Sequence, residues 1–330
     1  MRHFSYLRAA DLAEATHEGS DPGTFFVAGG TNLVDLMKER VAQPARLVDI
    51  NGLKLHDITD LPGGGLRLGG LATNADTACD RRVMERYPVV SSAILAGASA
   101  QLRNAATNGG NLNQRTRCYY FYDTHSPCNK REPGSGCGAV GGFNRIHAIL
   151  GASGQCIATH PSDMCVAMLA LGAEIRVSGP DGERAIAMAD YHRLPGDEPW
   201  RDTNLAHGEV VTSIDLPPQG FAKHHTYLKM RDRQSYAFAL VSVAAVMRVE
   251  GGAIAEARIA LGGVAHRPWR VPDGEALLVG RSAAQAQYDD VAEALLAGAR
   301  GQGSNDFKID LARRAIVRAC RQAAAGTPQI

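Results

Sequence analysis

The fold is decided first by residues 24–50, which read TFFVAGGTNLVDLMKERVAQPARLVDI. The segment opens on an apolar run typical of a buried strand and ends on a second such run at residues 46–50. Between them, residues 33–41 have the periodicity of an amphipathic helix, and Gly29 and Gly30 indicate a tight turn before it. The segment therefore predicts a compact βαβ unit with a glycine turn at the start of its helix.

The rest of the chain predicts further short strands and helices, with a break at residues 217–220, where Pro, Pro, Gln and Gly follow one another. Before this break we expect a hairpin at residues 54–59 and 65–72, helices at 76–87, 89–102 and 161–171, and strands at 146–150, 155–158, 174–178 and 210–216. After it we expect an antiparallel meander at residues 223–230, 238–249 and 253–262, followed by helices at 275–279, 288–299 and 307–323.

These elements predict an α+β protein with two domains. Residues 1–218 are expected to form the first, with a small βαβ subdomain at about 1–52 and a mostly antiparallel-sheet subdomain at 53–218. Residues 219–330 are expected to form a second domain, an antiparallel sheet with helices. Residues 114–146 differ from both domains, because their Arg, Tyr, Cys, Gly and Pro content has neither helical nor strand periodicity, and so long an irregular segment is usually functional or disordered. The cysteine-rich insertion that contains this segment is expected to extend over about 114–157.

Composition excludes several classes of partner. The 330 residues contain 35 Lys and Arg against 34 Asp and Glu, so the net charge of +1 gives no electrostatic field for nucleic acid. No apolar stretch approaches the ~20 residues of a membrane span. The first residues lack the apolar core of a signal peptide, so we expect no export signal in this chain.

Two glycine turns predict a site for a dinucleotide. The turn at Gly29, Gly30 and Thr31 places free backbone N–H groups where they favour a phosphate, although it lacks the Rossmann and Walker patterns. On its own it is more typical of a plain strand-to-helix turn than of a phosphate site. A second turn at residues 107–111, reading TNGGN, changes this interpretation, because two such turns can hold both phosphates of a dinucleotide.

Four of the seven cysteines are clustered, with the spacing Cys118-x9-Cys128-x8-Cys137-x18-Cys156. The paired knuckles of a structural zinc site are missing, whereas four thiolates in a wrapping loop can hold a [4Fe–4S] cluster. Spacing alone leaves the cluster, zinc and unrelated thiols open. The loop also supplies cations to offset thiolate charge, namely Arg115, Arg117, Lys130 and Arg131. We interpret the remaining cysteines as structural and the nearby histidines as polar loop residues: Cys79, Cys165 and Cys320, and His125, His147 and His160.

Three motifs together resemble the FAD-binding subunits of the molybdenum hydroxylases, the family that includes xanthine dehydrogenase and carbon monoxide dehydrogenase. They are FVAGGTNL at residues 26–33, QLRNAATNGGNL at 101–112 and PSDM at 161–164, and the resemblance extends along essentially the whole chain. It implies that FAD lies in a crevice between the subdomains. The cofactor-binding positions it implies are Phe26, Val27, Ala28, Gly29, Gly30, Thr31, Asn32, Leu33, Thr107, Gly109, Gly110, Asn111, Asp163, Val211 and Lys229.

Two of these positions also have a simpler structural interpretation. Asp163 lies in the first turn of a predicted helix, where a carboxylate is favourable with or without a cofactor. Lys229 matches the family lysine near the isoalloxazine, where a cation would stabilise reduced flavin, but by itself it would be a solvated strand residue.

The cysteine-rich insertion has its own resemblance. The segments RTRCYYF at residues 115–121 and CNKREPGSGC at 128–137 are similar to the flavin and [4Fe–4S] subunit of the bacterial periplasmic aldehyde oxidoreductases. A related insertion occurs in 4-hydroxybenzoyl-CoA reductase. This resemblance implies that Cys118, Cys128, Cys137 and Cys156 bind a [4Fe–4S] cluster.

The resemblance implies an electron-transfer subunit of a heterotrimeric molybdenum-dependent aldehyde oxidoreductase. Its expected partners are a large molybdenum-cofactor subunit and a small [2Fe–2S] subunit, with electrons leaving to an external acceptor. No residue of this chain is then catalytic for substrate oxidation. The alternatives are a 4-hydroxybenzoyl-CoA reductase or xanthine dehydrogenase-like subunit, a stand-alone flavin reductase, and a zinc-stabilised interaction module. The compartment is expected to be the cytoplasm or, by export with a signal-bearing partner, the periplasm.

Overall fold

Three separate β-sheets organise the chain, which the computed structural model describes over residues 1–218 and 220–326. The first sheet contains parallel strands β1 (Ser5–Arg8), β2 (Thr24–Val27) and β3 (Arg46–Asp49) in the order β1-β3-β2, with helices α1 (Leu12–Gly19) and α2 (Leu33–Lys38) beside it. The predicted βαβ unit is therefore present. Helix α2 ends earlier than predicted, because Arg40 has a φ of 60° and cannot continue it.

The second sheet is antiparallel, with the order β4-β5-β8-β6-β7. Its strands are β4 (Ile58–Asp60), β5 (Leu66–Gly69), β6 (Glu174–Gly179), β7 (Gly182–Ala187) and β8 (Val210–Leu216). The helices of this region are α3 (Asn74–Cys79), α4 (Arg81–Arg86), α5 (Pro88–Ala96), α6 (Ala100–Ala105), α7 (Asn108–Leu112), α8 (Tyr119–Tyr122), α9 (Asp163–Leu171) and α10 (Met188–Tyr191).

Several predicted elements of this region are wrong in detail. The helix predicted at residues 76–87 is broken at Asp80, whose side chain accepts the Arg82 N–H and so begins a new helix. The helix predicted at 89–102 breaks where Ala98 has a φ of 53°. Two predicted strands, at 146–150 and 155–158, are turns, and strand β7 has no counterpart in the predicted set.

The third sheet is the predicted antiparallel meander, in the order β12-β11-β10-β9. Its strands are β9 (His225–Met230), β10 (Val241–Glu250), β11 (Ala253–Gly262) and β12 (Trp269–Arg270), and the helices that follow are α11 (Pro272–Ala276), α12 (Asp289–Leu295) and α13 (Phe307–Ala325). The α+β fold class is confirmed. The predicted boundary includes Gln219, which, like residues 327–330, lies outside the described residues, so the domain limits stay a prediction.

The two faces of strand β10 join the halves of the chain. Ala244 and Val246 face a core that contains the fully buried helix α9, whereas Val243, Ala245 and Met247 face helices α12 and α13. The third sheet is therefore packed on both sides, and one side belongs to the core of the first region. None of the described helices is long and apolar enough to cross a membrane.

A buried lysine holds the end of the cysteine-rich insertion against the third sheet. Lys308, at the start of α13, is fully buried, and its Nζ donates to the carbonyl oxygens of His147 at 2.7 Å and Gly263 at 2.6 Å. Nearby, the Asn305 amide donates to the carbonyl oxygens of His147 and Ala148 at 3.1 Å each. These bonds satisfy backbone carbonyl groups that are not hydrogen-bonded within a helix or between strands.

We expect Lys308→Met to lower the free energy of unfolding by about 1–3 kcal/mol, because it leaves buried carbonyl groups without a donor. Urea unfolding of the intact protein measures the change. The matched control is Lys54→Met at an exposed position, where a change within about 0.5 kcal/mol is expected. Equal stabilities for the two variants would contradict this role for Lys308.

Candidate functional site

The two glycine turns contact each other through their backbones. A Cβ atom at Gly29 would lie 1.8 Å from the carbonyl oxygen of Ala105, so only glycine fits there. Gly30 has a φ of 70°, which favours glycine for a second reason. The first turn therefore lies directly against the segment that leads into the second.

The second turn is a short helix, α7, rather than an open loop. The Thr107 hydroxyl accepts the Gly110 N–H at 3.1 Å, which starts the helix in the usual capping geometry. Behind it, the fully buried Asn108 side chain exchanges hydrogen bonds with Thr77 and also bonds Asn74 and the Gly69 carbonyl, at distances from 2.8 to 3.1 Å. This network fixes the position of the second turn relative to the second sheet.

A cavity of about 740 Å³ opens between the two turns, helix α9 and strand β9. This volume lies within the range of cofactor sites. Six of the residues that the sequence assigned to the cofactor line it: Thr31, Asn32, Gly110, Asn111, Asp163 and Lys229. The other nine do not line it and instead form the strand, turns and packing behind it: Phe26, Val27, Ala28, Gly29, Gly30, Leu33, Thr107, Gly109 and Val211.

Asn32 gives an independent sign that this cavity receives a ligand. Its Oδ1 accepts the Arg115 N–H at 2.8 Å, whereas its buried Nδ2 has no partner in hydrogen-bond geometry among the described residues, although it lies near enough to the Tyr122 hydroxyl to lower the pKa of that group against the effect of burial. An unsatisfied buried amide donor is costly. The phosphate oxygens of a dinucleotide are acceptors that would satisfy it, so the donor set fits FAD.

At the far side of the cavity, Asp163 and Lys229 form a buried ion pair. Lys229 Nζ donates to Asp163 Oδ2 at 2.8 Å and to the Ala96 carbonyl at 3.0 Å, and the Tyr227 hydroxyl donates to Asp163 Oδ1 at 2.6 Å. Asp163 lies in the first turn of α9, as predicted. The Lys229 charge is thus offset by a carboxylate, and the pair presents a fixed dipole to the cavity.

Arg117 also lines this cavity, although sequence reasoning gave it only a general charge role. Its guanidinium lies over the Phe238 ring, 4.9 Å from the centroid, and donates to the Arg115 carbonyl. It has no carboxylate within ion-pair distance among the described residues. Burial lowers the pKa of Arg117, so the cavity wall contains an incompletely solvated cation beside the cysteine-rich insertion.

The four clustered cysteines surround one small cavity inside the insertion. Cys128 and Cys137 pair as an isolated antiparallel bridge, and Cys118, Cys128 and Cys156 lie in an apolar cluster with Leu36 of helix α2. All four are free thiols. Because α2 begins at the first glycine turn and packs on this cluster, the two candidate sites share one helix.

The spacing of the thiols separates the metal chemistries. Sulfurs around tetrahedral zinc lie about 3.8 Å apart, since each Zn–S bond is about 2.3 Å. Among the described residues, no three of these cysteines have sulfur atoms within 4.8 Å of one another. Four thiols around one cavity are the donor set that a larger group with iron at separate corners requires. Burial raises the pKa of Cys118 to about 12 and of Cys156 to about 11, so a bound metal must displace protons.

Buried polar side chains hold this loop in shape. The Asn129 Oδ1 accepts the N–H groups of Gly134 and Gly136, and its Nδ2 donates to Gln155 Oε1 at 2.8 Å. Arg131 donates to three loop carbonyls, and the almost fully buried Lys130 donates to Asp202 and to the Pro199 carbonyl. The loop is therefore ordered by its own polar bonds in addition to its cysteines.

The interpretation of the nearby histidines as polar loop residues holds for His125 and is wrong for two others. His125 is almost fully exposed, whereas His147 and His160 are buried. The prediction for the other cysteines also needs one correction, since Cys79 is exposed while Cys165 and Cys320 are buried.

His160, Cys165 and His192 form a buried group of possible metal ligands. Burial lowers the pKa of both imidazoles, which are therefore neutral. His160 Nδ1 accepts the Ser162 N–H, so its proton lies on Nε2, and His192 donates from Nε2 to the Leu112 carbonyl. The two remaining nitrogens, His160 Nε2 and His192 Nδ1, have no hydrogen-bond partner among the described residues, so the two rings do not satisfy each other.

Known proteins match this chain along nearly its whole length. Residues 2–219 match the family model of the FAD binding domain in molybdopterin dehydrogenase, and residues 225–323 match that of the CO dehydrogenase flavoprotein C-terminal domain. The aldehyde oxidoreductase FAD-binding subunit PaoB of Escherichia coli (strain K12) is 50% identical over 98% of this chain and 99% of its own. The carbon monoxide dehydrogenase medium chain of Afipia carboxidovorans is 27% identical over 96% of each.

A solved structure is also similar to this chain along almost its whole length. Quinoline 2-oxidoreductase from Pseudomonas putida 86 superimposes with a TM-score of 0.74 and 26% identity, covering 98% of both chains. The family match covers far more than half of the chain and includes both glycine turns. The chain therefore belongs to the FAD-binding subunits of the molybdenum hydroxylases, the molybdopterin dehydrogenase family.

Proposed function

We propose that this chain is the FAD- and [4Fe–4S]-carrying electron-transfer subunit of a molybdenum-dependent aldehyde oxidoreductase complex. The observation that carries the proposal is the conjunction of a dinucleotide-sized cavity with four cysteines around a second cavity on the same helix, α2. The 50% identity to an aldehyde oxidoreductase FAD-binding subunit supports the choice of aldehydes as the substrate class.

The residues that hold FAD in this proposal are those of the cavity wall. The free Asn32 amide and the Arg117 guanidinium supply donors for the phosphates, and the Asp163–Lys229 pair supplies a polar group for the ring system. Bound FAD supplies an acceptor that takes electrons one or two at a time. The protein contributes position and electrostatics, which is the usual division of labour in a flavoprotein.

Cys118, Cys128, Cys137 and Cys156 are the proposed cluster ligands. Their wide spacing, the absence of C-x-x-C pairs and the surrounding cations support iron–sulfur ligation over zinc. Lys130 offsets thiolate charge, since its ammonium lowers the pKa of Cys156 against the effect of burial. The matched family is defined by its FAD-binding domain, so the proposal of a cluster rests on this chain's own cysteines.

Substrate oxidation belongs to partner chains in this proposal. The sequence lacks the C-x4-C-x2-C pattern of a plant-type [2Fe–2S] domain, and we assign that centre to a small subunit and the molybdenum cofactor to a large one. Relatives described as medium chains support a heterotrimer. Electrons then enter from the partner [2Fe–2S] centres and leave to an external acceptor, in the cytoplasm or the periplasm.

Two alternatives use the same fold. A xanthine dehydrogenase-like or 4-hydroxybenzoyl-CoA reductase subunit would share the flavin site and differ in the partner chain. The putative xanthine dehydrogenase FAD-binding subunit of Escherichia coli, which is 26% identical to this chain, supports this alternative. A stand-alone flavin reductase gives the four cysteines no role. We therefore favour the aldehyde oxidoreductase complex.

Replacing Gly29 tests the flavin site. In Gly29→Ala the new methyl group would overlap the Ala105 carbonyl and push the two turns apart. Overpacking of about 1–3 kcal/mol corresponds to roughly fivefold to 160-fold weaker FAD binding. Fluorescence titration of flavin-depleted protein with FAD gives the dissociation constant. Gly154→Ala is the control, because nothing lies within 4 Å of its Cβ. Unchanged affinity in Gly29→Ala would remove the turns from the site.

Serine replacements test the cluster. Cys156→Ser should lose most of the approximately four irons per chain that one cluster requires, while FAD is retained, because the two cavities are separate. Cys165→Ser, at an equally buried cysteine outside the loop, should keep its iron. Iron, zinc and flavin analysis of the purified proteins is the measurement. Full iron in Cys156→Ser, or zinc without iron in the unaltered protein, would contradict the ligand assignment.

A further inference from the structure

A buried histidine contacts one of the four proposed ligand sulfurs. His147 Nε2 lies 3.1 Å from Cys118 Sγ, and the residue is only 1% exposed. Among the described residues, this is the one side-chain group that hydrogen-bonds a sulfur of the four, since the other contacts come from backbone N–H groups, of Ala158 to Cys156 at 3.5 Å and of Tyr120 and Phe121 to Cys118. The four ligand positions are therefore not equivalent.

The chemistry of the sulfur decides the direction of this contact. His147 Nδ1 is buried without a partner in hydrogen-bond geometry among the described residues, although the Asn144 backbone lies within reach of the ring. An imidazole always has at least one N–H, and Nε2 is the nitrogen that faces an acceptor. A Cys118 thiolate has lone pairs and no proton to donate. The bond therefore runs from Nε2–H to sulfur whenever Cys118 is a metal ligand.

The ring is held in this orientation from several sides. Its backbone carbonyl accepts hydrogen bonds from Lys308 and Asn305, and its N–H donates to the Asn144 carbonyl at 3.0 Å. The rings of Tyr119 and Tyr120 both pack beside the imidazole, and the centroid of each lies 6.3 Å from its own. The third sheet and α13 thus position a donor inside the insertion.

We propose that His147 is a positioning residue for the cluster: its Nε2–H donates to the Cys118 thiolate and raises the cluster reduction potential. This inference rests on the proposed [4Fe–4S] function. Reduction adds one negative charge to the cluster and its thiolates, and a hydrogen bond to sulfur stabilises the more negative state. The donor therefore makes the cluster a better electron acceptor from a partner centre.

The test is a redox titration of purified intact protein, with dithionite as the reductant and the EPR signal of the reduced cluster as the readout. His147→Leu removes the donor and should shift the cluster midpoint to lower potential while iron and FAD are retained. His147→Gln keeps an amide N–H at a similar reach and should return the midpoint toward the unaltered value. His125→Leu, at an exposed position in the same insertion, should leave the midpoint unchanged.

The possible outcomes separate the two proposals. Absence of iron from the unaltered protein contradicts the cluster itself. Iron retained in His147→Leu with an unchanged midpoint overturns the role of His147 and leaves the cluster standing. Loss of iron in both His147 variants would show that the histidine is needed to hold the cluster and would overturn the donor assignment.

A measurement on the unaltered protein covers the case in which His147→Leu does not fold. Pulsed EPR of the reduced cluster, with nitrogen-labelled histidine, should detect one weakly coupled histidine nitrogen and one exchangeable proton. A strong coupling typical of direct ligation, or no histidine coupling, would contradict the hydrogen bond.

Discussion

The backbone of Gly29 passes so close to the carbonyl oxygen of Ala105 that a methyl group has no space between them. This contact joins the small parallel sheet to the helices of the second region and sets the width of the cavity between the turns. The Asn32 side chain extends the connection, because its Oδ1 accepts the Arg115 N–H just before the cysteine-rich insertion begins. A displacement of the first turn therefore changes both the flavin cavity and the start of the insertion.

The insertion depends on hydrogen bonds and an ion pair made by its buried polar side chains. Lys130 is almost completely buried and reaches Asp202 and His266, so the loop is attached to a segment of the first region and to the third sheet. The cations around Asp202 hold the pKa of its carboxyl well below the usual range, which keeps this connection ionised. A buried pair of this kind is costly to break, because the remaining charge has no partner. Such a loop can present four thiols in a defined arrangement before metal binds.

Part of this architecture follows from the sequence. The βαβ unit and the antiparallel meander have strong periodicity, and the glycine turns are separated from the cysteine cluster by clear changes in composition. Helix ends were harder to place, because Asp80 can cap a new helix as well as occupy the middle of a longer one. The turns at residues 146–158 have the apolar content of strands, but their apolar side chains pack against two different cores.

Other features depend on contacts between residues distant in sequence. The resemblance supplied Asp163 and Lys229 separately, while their ion pair requires α9 and β9 to meet. The role of His147 depends on Asn305 and Lys308, more than 150 residues away. Its apolar neighbours in sequence, Ala148 and Ile149, were the available signal that this histidine is buried. The contact of α2 with both candidate sites likewise cannot be predicted from the sequence, because it depends on how the insertion folds back onto this helix.

The most direct test of electron exit through this chain compares the assembled complex with and without flavin. Aldehyde is added, and the reduction of the partner [2Fe–2S] centres and steady-state turnover with the external acceptor are followed together. The account predicts that the flavin-free complex still reduces its [2Fe–2S] centres while turnover collapses. Unimpaired turnover of the flavin-free complex would show that electrons leave by another route and would contradict it.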